Sequence, residues 1–319
     1  VSSLHEDKIY LVTHGNLSAG YQTAQTAHVI AEFMLHHPEA AQKWHSISNS
    51  IIVLEAKDAR ALSEIQEKAK ARNFMIHEFR EPDLGDEITA LAFEPNPGNR
   101  RLLSNLPLAG KHFKNQKELH ERERRIRELS YAMMDCEQTK GQDVLQHGRS
   151  VREHYFAVVD HLMGKINLAE TTNWKVPAWL DTYSEAIIAS LPPRYVMDRY
   201  LTLHDCGKPA VRETDEDGRV HFPNHAESSQ KVYRDVFGEE ADATVEYLIA
   251  HDMDVHMLKA AGVEEFAKSP TAVGQLLAAF AEVTSNAGMF GGIDSTSFKI
   301  KYKQIDQRGK AVMKALFDK

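Results

Sequence analysis

The sequence predicts an α/β domain followed by an all-α helical domain, and three observations carry that prediction. Apolar segments in the first hundred residues alternate between strand-like and helix-like spacing in the order βαβαββ. Strand signals nearly vanish beyond Asp135, where helical patterns separated by Gly and Pro clusters take over. Between them, residues 111–128 carry seven Lys or Arg and four Glu with few apolar positions, the pattern of a charged connecting helix. A length of 319 residues agrees with two domains. The expected division is residues 1–110, a connecting helix over 111–134, and residues 135–319.

In chain order, KIYLVT at 8–13 reads as a buried strand, and the small-residue loop Gly15 to Gly20 leads into a helix from Tyr21 to His37. SIIVLEA at 50–56 reads as a second strand. Asp58 is a good N-cap for a helix whose Leu62, Ile65 and Ala69 fall at helical spacing, with Asn73 to end it. Phe74–Phe79 and Ile88–Phe93 read as two further strands around the turn-forming Pro82, Gly85 and Asp86.

Composition narrows the function classes. Hydrophobic residues at 42% and charged residues at 26% are those of a globular protein, which excludes disordered and fibrous readings. A formal charge of −8 means that any nucleic-acid contact is local rather than driven by the whole molecule's field. Cys136 and Cys206 form no CxxC pair, so neither a disulfide framework nor a thiolate zinc site is indicated, and a reducing cytoplasm is the expected compartment. No apolar run approaches a membrane span, so no membrane partner is expected.

The chemistry starts with histidine, of which there are 17. In RYVMDRYLTLHDCGKP, Val196, Met197, Tyr200, Leu201 and Leu203 mark the buried side of a helix. His204 and Asp205 lie one turn beyond Tyr200 and Leu201 and point inward. A carboxylate so placed needs a compensating cation or donor. Gly207 and Pro209 stop the helix and leave Lys208 at the mouth. His147 falls within the stripe Val144, Val151, Tyr155, Val158 and Leu162. Asn224 is positioned to cap a helix that opens with His225, and His251 ends another helix. Four imidazoles and a carboxylate from separate helices are the means by which a helical bundle builds a metal site. Nitrogen and carboxylate donors suit Mn, Fe, Co, Ni or Zn better than Ca.

On these residues, 135 to about 300 resembles an HD-domain metal-dependent phosphohydrolase, and LHDCGKPAVRETDEDGRVHFPNH is similar to the HD module of bacterial tRNA nucleotidyltransferases. The resemblance implies an HD-type helical bundle in which His147, His204 and Asp205 hold a divalent metal, with Mg among the candidates. It further implies that Lys208 faces the phosphate, and that His225 and His251 ligate a second metal or contact substrate. The family's late aspartate has no counterpart in LLAAFAEVTSNAGMFGG. Thr284 or Ser285 occupies its position, with Glu282, Asn286 and Asp294 nearby; one of these substitutes, Asp294 among them, or the metal is held less tightly. The implied reaction is attack of an activated water on phosphorus, with Asp205, Lys208, His225 and His251 as the catalytic set.

The loop and helix THGNLSAGYQTAQTAHVIAEF presents backbone N–H groups at a helix start, which can bind phosphate. With SIIVLEA and EPDLGDEITALAFEP, residues 8 to about 108 resemble the type 2 peptidyl-tRNA hydrolase family. This implies a mixed four-stranded sheet with flanking helices and an approach to a tRNA acceptor end, with Gln25, His28, Asp83 and Thr89 as substrate-binding residues. The family's GKGK loop is absent, and Tyr21 stands where a lysine is expected.

Three functions follow as expectations. The first is a phosphohydrolase cleaving a phosphomonoester or 2′,3′-cyclic phosphodiester on a nucleotide or RNA end, tRNA included, with the N-terminal domain aiding recognition. The second is a peptidyl-tRNA hydrolase acting through the N-terminal domain. The third is a binding module whose Lys111, Lys114, Lys117, Arg122, Arg124, Arg125 and Arg127 dock RNA or a partner. Asp215 to Gly218 reads as a turn, and Trp174 and Trp179 as core or as lining of an entrance. The sequence does not specify an oligomeric state.

Overall fold

A computed structural model describes residues 8–110, 115–139 and 141–318. The chain divides into two compact units at residue 130. In the first unit, β1 (Ile9–His14), β2 (Ile51–Ala56), β3 (Ile76–Glu81) and β4 (Glu87–Phe93) form a mixed sheet of order β2-β1-β4-β3. β1 pairs with β2 in parallel and with β4 antiparallel, and β3 pairs antiparallel with β4 through a bulge at Phe79/Arg80. α1 (Ala19–His36), α2 (Pro38–Ile47), α3 (Ala59–Lys70) and α4 (Pro97–Leu103) flank it.

The pleat of β1 explains the three layers. Ile9 and Leu11 point to one face, where Val29 and Phe33 of α1 and Ala41 and Trp44 of α2 meet them. Val12 points to the other, against Leu62, Ile65 and Ala69 of α3 and Leu103 of α4. Asp58 caps α3 by accepting from Ala61 N at 2.8 Å, as its sequence position implies. α2 has no counterpart in the sequence reading; Pro38 at its first turn starts it after the single residue His37 that follows α1.

α5 (Gln116–Met134) follows. Its polar composition conceals a buried face of Leu119, Arg122, Glu123 and Ile126, so it is no freely solvated connector. Arg122 is 5% exposed and donates to both Glu87 carboxylate oxygens at 3.1 Å. Lys111 and Lys114 lie outside the described residues.

The second unit is mostly helical. Its long elements are α6 (Val144–Leu162), α7 (Arg194–Leu203), α8 (His225–Phe237), α9 (Ala243–Ala250), α10 (Ala272–Ser285) and α11 (Thr296–Phe317). Two short antiparallel pairs, Glu137–Thr139 with Gln142–Asp143 and Glu213–Thr214 with Val220–His221, interrupt the helices. Asp215 closes the second pair as a turn, accepting from Asp217 N and Arg219 N. Trp174 and Trp179 pack edge-on against Phe280 of α10; Trp179 is part of the buried core, and Trp174 is half-buried. No helix among the described residues is long and apolar enough to cross a membrane.

Candidate functional site

In the helical unit, α6 is started by a reciprocal cap: Asp143 accepts from Gln146 N, and the Gln146 amide oxygen accepts from Asp143 N. His147 follows in the first turn, fully buried. Gly148 lets α6 approach α7, since a Cβ there would lie 2.3 Å from the Thr202 carbonyl oxygen. The His147 and His204 rings therefore sit 5.2 Å apart.

His204 ends α7, and its Nδ1–H donates to the Leu201 carbonyl at 2.8 Å, leaving Nε2 to face inward. Asp205 is central: its Oδ2 lies 3.2 Å from His204 Nε2 and 3.5 Å from His147 Nε2, and accepts from Lys208 Nζ at 2.6 Å. Its Oδ1 lies 3.6 Å from His225 Nε2. Both ring nitrogens of His147, Nε2 of His204 and Oδ1 of Asp205 are buried without a hydrogen-bond partner. The unpartnered Nε2 atoms of His147 and His204, both beside the Asp205 carboxylate, fit the donor set of a divalent cation.

The buried ionisable groups of the cluster shift one another strongly. Burial, reinforced by the neighbouring His204, lowers the His147 imidazole to about 4. Burial opposes protonation of His204 as well, but the carboxylates of Asp205 and Asp252 outweigh it and lift that imidazole to about 10. Burial would raise Asp205, yet Lys208 and His204 hold its carboxyl well below the usual range.

The late helix α10 contributes Glu282, whose carboxylate lies with the ring nitrogens of His147 and His204 in a group whose ligand atoms are all within 4.8 Å of one another. Several expected residues stand elsewhere. Asp294 is exposed and pairs with Lys299 Nζ at 3.6 Å, so the coil after α10 carries it away from the site. His251 turns outward, packs against the Tyr247 ring at a tilt and pairs with Asp254 at 2.8 Å. Its neighbour Asp252 turns in instead and accepts from the Tyr200 hydroxyl at 2.6 Å. Lys208 is not at a mouth: it is buried, bonded to Asp205 and to the Gln138 amide oxygen. Asn224 adopts a left-handed conformation and does not cap α8 with its side chain. Glu282 had a legible signal, as the single acid in the apolar run Ala272–Ser285. Tyr200 was legible only as part of the buried side of α7 and Asp252 only as the neighbour of His251, while His256 had no signal.

In the α/β unit, Thr89 donates to the Gln25 amide oxygen at 2.7 Å, and Gln25 donates to Glu81 at 2.7 Å. Asp83 sits on the single 3₁₀ turn between β3 and β4, its N–H donating to Glu81. His28 is exposed and stacked on Phe79. The amides expected to bind phosphate are already engaged: Glu123 of α5 accepts from Ser18 N at 2.6 Å and from Ser18 Oγ at 3.0 Å, and Gln116 accepts from Ala19 N at 3.0 Å. Tyr21, at the position of the expected lysine, receives a hydrogen bond from Arg127.

No curated protein matches the chain. Residues 8–101, the sheet, helices α1 to α3 and the start of α4, match the family model described as peptidyl-tRNA hydrolase PTH2.

Proposed function

We propose that this chain is a hydrolase for tRNA-linked substrates whose two units divide the work. Residues 8–101 engage the tRNA-linked group; the family match supports this direction. The helical unit binds a divalent cation at His147, His204 and Asp205 and hydrolyses a phosphomonoester or 2′,3′-cyclic phosphodiester. The observation that carries the second half is the convergence of orphaned ligand atoms from α6 and the end of α7.

A cation bound there supplies the charge that activates water and neutralises the developing phosphoryl negative charge. Around it, Lys208 holds a fixed positive charge 2.6 Å from Asp205. His204 is oriented by its bond to Leu201 O, and in this reading the partly exposed His225, 3.6 Å from Asp205 Oδ1, passes a proton to the leaving oxygen.

A second reading makes the α/β unit itself a peptidyl-tRNA hydrolase, and the family match favours it over the phosphohydrolase reading. Against it stand Tyr21 in place of the expected lysine and the α1 amides engaged by α5. The two separate by assaying the purified chain, with added Mn, Ni, Zn or Mg, on 2′,3′-cyclic nucleotides, phosphomonoesters and N-acetyl-aminoacyl-tRNA. Phosphoester cleavage lost in Asp205→Asn supports the first reading. Release of the acyl group that survives Asp205→Asn and is lost in Thr89→Val supports the second, and inertness on all phosphoesters removes the first.

A further inference from the structure

We infer that Glu282 supplies the carboxylate ligand from the late helix and that His256 is its positioning residue; the inference rests on the cation-binding reading of the helical unit. α10 is apolar, with Leu276, Leu277, Phe280, Ala281 and Val283 all buried, and Glu282, its side chain 23% exposed, sets a partly buried carboxylate in that run, which is costly unless it is compensated. Glu282 is compensated from two sides. His256 Nε2 lies 2.7 Å from Oε2. Toward the other side, the carboxylate shares a group with the inward nitrogens of His147 and His204.

Of the other polar side chains at this end of α10, Asn286 is buried with its Oδ1 unpartnered, while Thr284 and Ser285 are occupied and Asp294 lies away from the site. The Thr284 hydroxyl donates to the carbonyls of its own helix, Phe280 and Ala281, and sits 3.1 Å from His154 Nδ1. The Ser285 hydroxyl donates to the Glu282 carbonyl. Asp294 is 96% exposed and lies beside Lys299. Of the two acids here, Glu282 alone reaches the two histidines. His256 comes from the short helix Asp254–Met257 and does for a carboxylate what the Leu201 carbonyl does for His204: it fixes which atom faces the cation.

The test is a titration of the chelator-treated full chain with Mn²⁺ and Zn²⁺ by calorimetry. Wild type is compared with Glu282→Gln, His256→Phe, the double variant and Thr284→Val, each checked for wild-type circular dichroism in the absence of metal. The inference expects Glu282→Gln to weaken binding at least about tenfold and His256→Phe several-fold, with the double variant no weaker than Glu282→Gln alone. Thr284→Val should bind as wild type. Wild-type affinity in Glu282→Gln, or a His256→Phe loss that adds in full to that of Glu282→Gln, overturns the inference while leaving the cation reading in place. Where Glu282→Gln fails to fold, Glu282→Asp takes its place, with weakened binding expected because its carboxylate is one methylene short; unchanged binding overturns the inference. A wild-type chain that binds neither metal removes the cation reading itself, and this inference with it.

Discussion

Glu123 closes the N-terminal end of α1 through Ser18, taking the backbone N–H at 2.6 Å and the hydroxyl at 3.0 Å with its two carboxylate oxygens. The two residues are 105 positions apart, and the carboxylate is 1% exposed. A buried anion at a helix start satisfies an otherwise orphaned donor and complements the helix dipole. Glu123→Ala should therefore lower the stability of the α/β unit by about 1–3 kcal/mol, with Glu123→Gln costing less. Urea denaturation followed at Trp44 checks this, and an unchanged midpoint in Glu123→Ala would refute it.

Gly148 controls how closely α6 approaches α7. A methyl carbon added there would stand only 2.3 Å from Thr202 O, so Gly148→Ala must push backbone from backbone. A loss of about 1–3 kcal/mol is expected, together with weaker cation binding as His147 moves from His204. Thermal melts and metal titration of the same variant report both effects.

Cation removal should destabilise the helical unit. A ligand at a hundred times its dissociation constant adds about 2.7 kcal/mol to the folded state. Chelation is expected to lower the melting temperature of wild type and to leave that of Asp205→Asn unmoved, as scanning calorimetry would record.

His37 gives the α/β unit a dependence on acid. Burial, with the neighbouring His77 and His36, lowers its imidazole from the ordinary 6.5. The unfolded chain thus takes up a proton before the folded one, so the contribution is present above 6.5 and is lost as pH falls through the lower folded value. Denaturation midpoints should fall between pH 7.5 and 5.5, less steeply in His37→Gln than in wild type. An equal slope in the two would show that the loss arises elsewhere.

Much of this was legible in the sequence wherever local patterning and burial coincide. The strands around Leu11, Val53 and Leu91 and the Asp58 cap follow from periodicity and capping chemistry, and His147, His204 and Asp205 from their places on apolar stripes. α2 escaped because its buried residues are few, Ala41 and Trp44. The buried face of α5 escaped because it is lined by Arg122 and Glu123, whose partners Glu87 and Ser18 are distant in the chain. His251 and Asp252 show the finer limit: adjacent residues at a helix end point in different directions, and the turn geometry that decides between them depends on tertiary packing.

The most direct measurement is elemental analysis of the purified full chain after dialysis against Mn, Ni and Zn and removal of free ions. The account predicts about one tightly held cation per chain in wild type and none in the His204→Ala/Asp205→Asn double variant. A wild-type chain free of metal, or a double variant carrying as much as wild type, would contradict it.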